Sequence, residues 1–251
     1  EAERLSLSDA YALNRGILSP SQCRSVVDEF QARRKTTKAF AEFFSIDPAY
    51  APKFKEYSPG QYVNGGISPF TAGELAKGAF TCGREKYAWD ILQRFETMLE
   101  RDGGIYFLYD PITQKALGGG PSAWGAAALM DAVDKGLAGI VDAGTGYDAI
   151  DFSPRWPVTH YREIRYATGY ELTGRYVDCR GVLSDVGLRY NLRSPARKIE
   201  AHILLPDGKR AVKLLINGIE TEFKTVSVDN SLYVEASVAV TNGVADFEVL
   251  Y

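Results

Sequence analysis

The sequence predicts a chain of two classes: helical hairpins forming part of a helical barrel over residues 1–157, then an antiparallel β-sandwich over residues 158–251. Three observations predict it. Residues 118–140, GGGPSAWGAAALMDAVDKGLAGI, lead with glycines and a proline into a helix whose first turns are almost all small or apolar. A helix apolar all round must be wrapped by others. Before Pro157 such small-residue segments alternate with amphipathic ones, the pattern of concentric hairpins rather than a flat bundle. After Trp156 and Pro157, short β-branched and aromatic runs separated by turn signals take over.

The elements follow in order. Residues 5–16 fit a short helix, with Ser8 or Ser6 as cap, Asp9 as a helix-start residue and Gly16 at the stop. Ser19 to Gln22, SPSQ, reads as a capping box with Pro20 in the first turn. The helix behind it, to about residue 34, carries Cys23, Val26, Val27 and Phe30 on one face. Residues 35–62 are long and proline-punctuated, with one helical turn expected over 39–44; a loop of this length usually covers something or is functional. A third helix starts at Pro69 behind Ser68, its stripe being Ala72, Leu75, Ala76, Ala79 and Phe80. The fourth covers roughly 85–101, and Ser122 is a candidate N-cap for the fifth. In the β-part, Asn217 and Gly218 form a type I′ hairpin signal. Pro206-Asp207-Gly208 and Asn242-Gly243 mark two more turns, and seven or eight strands are expected.

Composition bounds the function. Hydrophobic residues make up 45% and charged residues 24%, with net charge −3, so nothing draws the chain toward nucleic acid or an anionic membrane. No apolar run reaches membrane-spanning length. Cys23, Cys82 and Cys179 form no motif, and an odd count argues against a disulfide framework. Both histidines, His160 and His202, lie in the β-part, so no nucleophile–histidine arrangement suggests itself. No cluster has metal-ligand spacing. Gly118 to Gly120 lack the Lys and Ser/Thr of a phosphate loop. No cofactor and no metal are therefore expected.

YVNGGISPFTAGELAKGAF, GGIYFLYDP, GGGPSAWGAAALMDAVDKGLAGI and IDFSPRWP follow one another in this chain. Their order and spacing resemble the last hairpins of the (α/α)6-barrel, or six-hairpin, glycosidases and phosphorylases, a group that includes glucoamylases, cellobiose and maltose phosphorylases and α-L-rhamnosidases. GLAGI and FSPRWP resemble the barrel exit of the phosphorylase branch before its C-terminal β-domain. The resemblance covers residues 5–157 and, more loosely, the β-part. It implies the C-terminal portion of a glycoside hydrolase acting on an oligo- or polysaccharide. A glycoside phosphorylase, or a non-catalytic carbohydrate-binding or interaction module, is the alternative. It also implies a deficit: a full barrel has twelve helices and about five are countable here. The rest would come from an N-terminal half of the barrel or from another copy of the chain, because exposed inner faces cost ~25 cal/mol per Å².

In such barrels inner-helix N-termini face a central pocket. Tyr62, Asn64 and Phe70 lie at the start of one such helix, and Phe107, Tyr109, Asp110 and Trp124 surround the next. Tyr62, Asn64, Phe70, Tyr109 and Trp124 are the substrate-binding candidates. Trp124 stacks on a sugar ring or is simply core, and Gly65 with Gly66 opens a site or an ordinary loop. Glycosidic cleavage takes two carboxyl groups, ~6.5–9.5 Å apart for inversion and ~5 Å for retention. The resemblance places the base before the last inner helix, where Asp110 is the carboxylate; Asp110-Pro111 also reads as a turn. Glu74 is the second catalytic candidate, facing either the pocket or solvent. Tyr62, Asn64, Tyr109, Asp110 and Trp124 are expected to line one cavity, with Glu74 at its floor.

Overall fold

The computed structural model describes residues 4–251, so the first three residues of the expected helical part lie outside the described residues. The chain divides into two compact units, Glu1–Val133 and Asp134–Tyr251.

Among the described residues the first unit holds five α-helices: α1 (Leu7–Ala12), α2 (Pro20–Thr36), α3 (Pro69–Thr81), α4 (Glu85–Asp102) and α5 (Ala123–Asp131). Their ends are set locally. Ser6 caps α1, and its backbone N–H donates in return to Asp9, which makes Asp9 a capping residue. Ser19 and Gln22 form the same reciprocal box on α2, with Pro20 in the first turn, where no N–H is needed. Gly103, in the left-handed region, ends α4. The pair β1 (Leu5–Ser6) and β2 (Ile46–Asp47) ties the start of the chain to the long loop. A hairpin of β3 (Tyr106–Tyr109) and β4 (Ala116–Pro121) fills the span between α4 and α5.

Helix α3 is the centre of this unit. Only Phe70, Lys77 and Thr81 along it keep appreciable exposure. Ala72, Leu75 and Ala76, expected to need cover from outside the chain, are each fully buried by the unit itself. Glycine makes the closest approach possible: a Cβ on Gly73 would stand 2.4 Å from the Ala128 carbonyl carbon, and one on Gly125 2.9 Å from Pro69 Cβ. Lys77 then pairs with Asp131 one turn further along. Pro69 with Gly125, Gly73 with Ala128 and Lys77 with Asp131 advance together, so α3 and α5 run parallel with their N-termini level.

Helix α5 departs from expectation. It is not wrapped all round: Gly125, Ala128 and Leu129 are buried, whereas Trp124 is 54% and Met130 59% exposed. It is also short, passing after Asp131 into a π-helical turn, Ala132–Leu137. The helical turn expected over 39–44 is absent. That stretch is non-helical because it runs along the hairpin: Phe44 bridges Ile67, which bridges Tyr109. Its Glu42, fully buried, accepts from both terminal nitrogens of Arg94 and from the Tyr87 hydroxyl, which anchors the stretch to α4.

The second unit is a pair of sheets. Its strands are β5 (Ile140–Asp142), β6 (Ala149–Phe152), β7 (Glu163–Tyr170), β8 (Arg175–Leu183), β9 (Gly187–Arg193), β10 (Lys198–Leu204), β11 (Lys213–Ile216), β12 (Ile219–Glu220), β13 (Lys224–Val228), β14 (Ser231–Ala239) and β15 (Val244–Leu250). One sheet has the order β13-β14-β10-β6-β5, the other β12-β11-β15-β9-β8-β7. Alternation puts Ile199, Ala201 and Ile203 inward and Lys198, Glu200 and His202 outward on β10. The core joins the sheets through Phe152, whose ring lies 5.7 Å from Tyr190 and 5.8 Å from Phe247.

Two expectations need correction here. The sheets are not wholly antiparallel, because β6 runs parallel to β10. The chain crosses to the other sheet through β7, β8 and β9 before returning, and so re-enters in the same direction. Strands also occur before Pro157, β1 to β6. The β11–β12 turn forms as the sequence requires, Asn217 and Gly218 both at positive φ (52° and 79°).

Candidate functional site

The level N-termini of α3 and α5 bring an aromatic row to one end of the first unit. Phe70, in the first turn of α3, and Trp124, in the first turn of α5, have ring centroids 4.6 Å apart. Phe107 of β3 stacks on Trp124 at 6.1 Å, Tyr62 follows at 5.5 Å and Tyr57 at 5.0 Å beyond it. On the other side Tyr11 lies 6.3 Å from Phe70, with the Arg15 guanidinium 3.6 Å over its ring. Tyr11 is 44% exposed; Phe70, Phe107, Tyr62 and Tyr57 are half-buried. Offset and edge arrangements of this kind favour ring contact by ~0.5–1.5 kcal/mol beyond area burial. The result is an apolar strip with Trp124 as its most open ring.

Gly118 lies beside the row. At φ 88° it adopts a conformation costly for other residues, which is what calls for glycine here; a Cβ would only touch Phe107 Cβ at 3.4 Å and the Tyr62 ring at 3.5 Å, ordinary contact distances. Tyr62 itself sits at φ 46°, rare for an aromatic residue. Positive backbone ends of two helices also meet here, because Ser68 and Ser122 each cap only one N–H by side chain, those of Thr71 and Gly125.

The remaining candidates are held elsewhere. Asn64 is fully buried, its amide engaged with the backbone of Tyr50 and Tyr57. Tyr109 is fully buried too; its hydroxyl accepts from the Tyr106 N–H, and burial pushes its pKa upward. Asp110 closes the β3–β4 turn. Its Oδ1 accepts from the Ile112 and Thr113 N–H groups, and those bonds, Thr113's foremost, hold its carboxyl below the usual carboxylate range. Glu74 is 6% exposed and accepts from Arg15 at 3.0 Å and Asn14 at 2.7 Å, with Lys77 at 3.8 Å. Tyr62, Phe70 and Trp124 are thus brought together. Asn64, Tyr109, Asp110 and Glu74 each have a structural partner set of their own. Sequence reasoning left Tyr11, Arg15 and Tyr57 out of the site, since none is periodic with the core; Gly73, fifth in α3, and Gly125, third in α5, were the available signal for a close parallel crossing.

Among the described residues no group of three or more His, Cys, Asp or Glu is placed to hold a metal ion. No helix among them is long and apolar enough to cross a membrane.

No protein-family model and no curated protein matches the chain. Among solved structures it is similar to a GH127 β-L-arabinofuranosidase from Geobacillus stearothermophilus T6, at 10% identity and TM-score 0.38, covering 98% of this chain and 41% of that one. It is also similar to the Streptomyces avermitilis α-L-rhamnosidase complexed with L-rhamnose, at 12% identity and TM-score 0.36, covering 96% and 32%. The chain spans less than half the length of these two proteins.

Proposed function

We propose that this chain is the saccharide-engaging C-terminal portion of a glycoside hydrolase, its first unit offering the aromatic strip to an oligo- or polysaccharide. The observation that carries this reading is the row Tyr62, Phe107, Trp124 and Phe70 at two level helix N-termini, with Trp124 half exposed. A sugar ring has an apolar face that lies flat on an aromatic ring and hydroxyls that reach backbone N–H groups beside it. Both are present at this end of the unit.

The exposed side of α5 at Met130 is the face on which we place the rest of a barrel, from an N-terminal half or another copy of the chain, with Trp124 left to the saccharide. Catalysis is then shared: acid and base come from the assembled barrel. Asp110 and Glu74 remain this chain's two proposed carboxyl contributions. One observation favours the alternative of a non-catalytic binding module, namely that both carboxylates already have backbone or ion-pair partners.

Titration of the protein with cello-, xylo- and arabino-oligosaccharides tests the reading. Trp124→Ala should weaken binding about tenfold, the worth of one ring contact and its buried area, while stability changes by less than about 1 kcal/mol. Absence of saturable binding to any saccharide would overturn it. In the full-length enzyme, turnover by the Asp110→Asn protein tests the base assignment: a fall of orders of magnitude makes Asp110 the base, and an undiminished rate leaves it a turn residue.

A further inference from the structure

We infer that residues 48–62 form a strap that lengthens the aromatic strip, and that Asn64 is the positioning residue that makes the site selective for longer saccharides; this rests on the saccharide reading above. The strap is organised around one amide. Asn64 Oδ1 accepts from the Tyr50 N–H at 2.8 Å, and its Nδ2 donates to the carbonyls of Tyr50 at 2.9 Å and Tyr57 at 3.0 Å. Its backbone closes the same turn: the Asn64 N–H donates to Gln61, and the Gly60 N–H donates to Asn64. Every polar atom of the side chain is thereby aimed at the strap, and with the residue fully buried no ligand reaches it.

What the amide holds in place is a pair of rings. Tyr57 and Tyr62, 5.0 Å apart, stand just before and within the turn that Asn64 closes. Tyr62 is kept at positive φ by its carbonyl, which accepts from the Gly66 N–H at 2.9 Å. A Cβ on Gly66 would stand 2.5 Å from that oxygen, so a glycine is required for the arrangement. The Tyr62 ring then continues the strip from Phe107. Trp124 and Phe70 can serve a short ligand by themselves. Tyr62 and Tyr57 add surface only for one long enough to pass Phe107.

The consequence is a dependence on ligand length that Asn64 controls without touching ligand. Affinities are measured for the disaccharide and hexasaccharide of whichever of the three oligosaccharide series binds. The wild-type protein should favour the hexasaccharide by about tenfold, the worth of roughly one added ring contact. Asn64→Asp keeps the acceptor and loses both donations; Tyr62→Ala keeps the amide and removes a ring. Each should bring the two affinities to within about twofold by lowering the hexasaccharide value, whereas Trp124→Ala lowers both together. If Asn64→Asp loosens the whole unit, Tyr62→Ala and Tyr57→Ala carry the test with the amide intact. Binding with a length preference that survives all three substitutions would overturn the proposal and leave the saccharide reading standing. A wild-type protein that binds neither length would overturn both.

Discussion

The two units bury their apolar residues in opposite ways. In the second, each face has a partner within the unit: Phe152 meets Tyr190 and Phe247, and the strands alternate inward and outward. The first is closed on α3 and open on α5. Its central helix is wrapped so tightly that glycines are needed at Gly73, Gly78 and Gly125, while Trp124 and Met130 on its neighbour face outward. The second unit exposes apolar side chains as well, among them Leu172, Val186, Val212 and Ile219, but the first gathers its exposed Trp124 into a row of rings in contact beside a crowded crossing. The contrast is the ground on which we propose the first unit as the place of function.

The sharpest way to break the contrast is to open the first unit at its buried charge. Arg94→Ala leaves Glu42 buried with one of its partners gone, a change that costs about 3–5 kcal/mol. Calorimetry should show the transition of the first unit moving down while that of the second stays. A common shift of both transitions would mean that the units melt as one.

Gly73→Ala probes the crossing itself. The added methyl meets the Ala128 backbone, so about 1–3 kcal/mol of stability should be lost by overpacking, with saccharide affinity falling as the two helix N-termini part. Denaturant midpoints and oligosaccharide titration read the two effects. A stable variant with unchanged affinity would show that the close crossing does not set the strip.

The smallest effect concerns acid. Because Asp110 is held below the usual carboxylate range in the folded chain, it contributes stability above its unfolded pKa, which is lost as pH falls through the folded value. Asp110→Ala should therefore lower stability at neutral pH and flatten its loss on the acid side. Comparing unfolding midpoints of the two proteins between neutral and acid pH measures this, and parallel profiles would count against it.

Local chemistry explains which parts of the fold were legible. Ser19 with Gln22, Ser68 before Pro69 and Asn217 with Gly218 act within a few residues, and each produced the end or turn its side chain demands. The stripe of α3 likewise gave its buried face. The parallel pairing of β6 with β10 depends on residues 49 positions apart, and no local pattern carries it. The site divides the same way. Phe70 and Trp124 were legible because a helix start fixes where a first-turn residue points. Asn64 looks like a ligand contact in a glycine-rich approach, and only the fold of the strap reveals that its amide is committed to backbone. Tyr57 and Tyr11 enter the strip from segments whose position depends on tertiary contacts.

Trp124 has one more consequence. Three tryptophans occur in the chain, and they stand in unequal surroundings: Trp156 is 7% exposed, Trp89 is partly covered on α4, and Trp124 is 54% exposed. Fluorescence from an indole in water lies to the red and is quenched readily by iodide, whereas that of a buried indole is blue-shifted and shielded. The most quenchable part of the emission therefore comes from the aromatic strip alone. A molecule that covers the strip should shift that part to the blue and protect it from iodide, giving an optical signal of occupancy that needs no label.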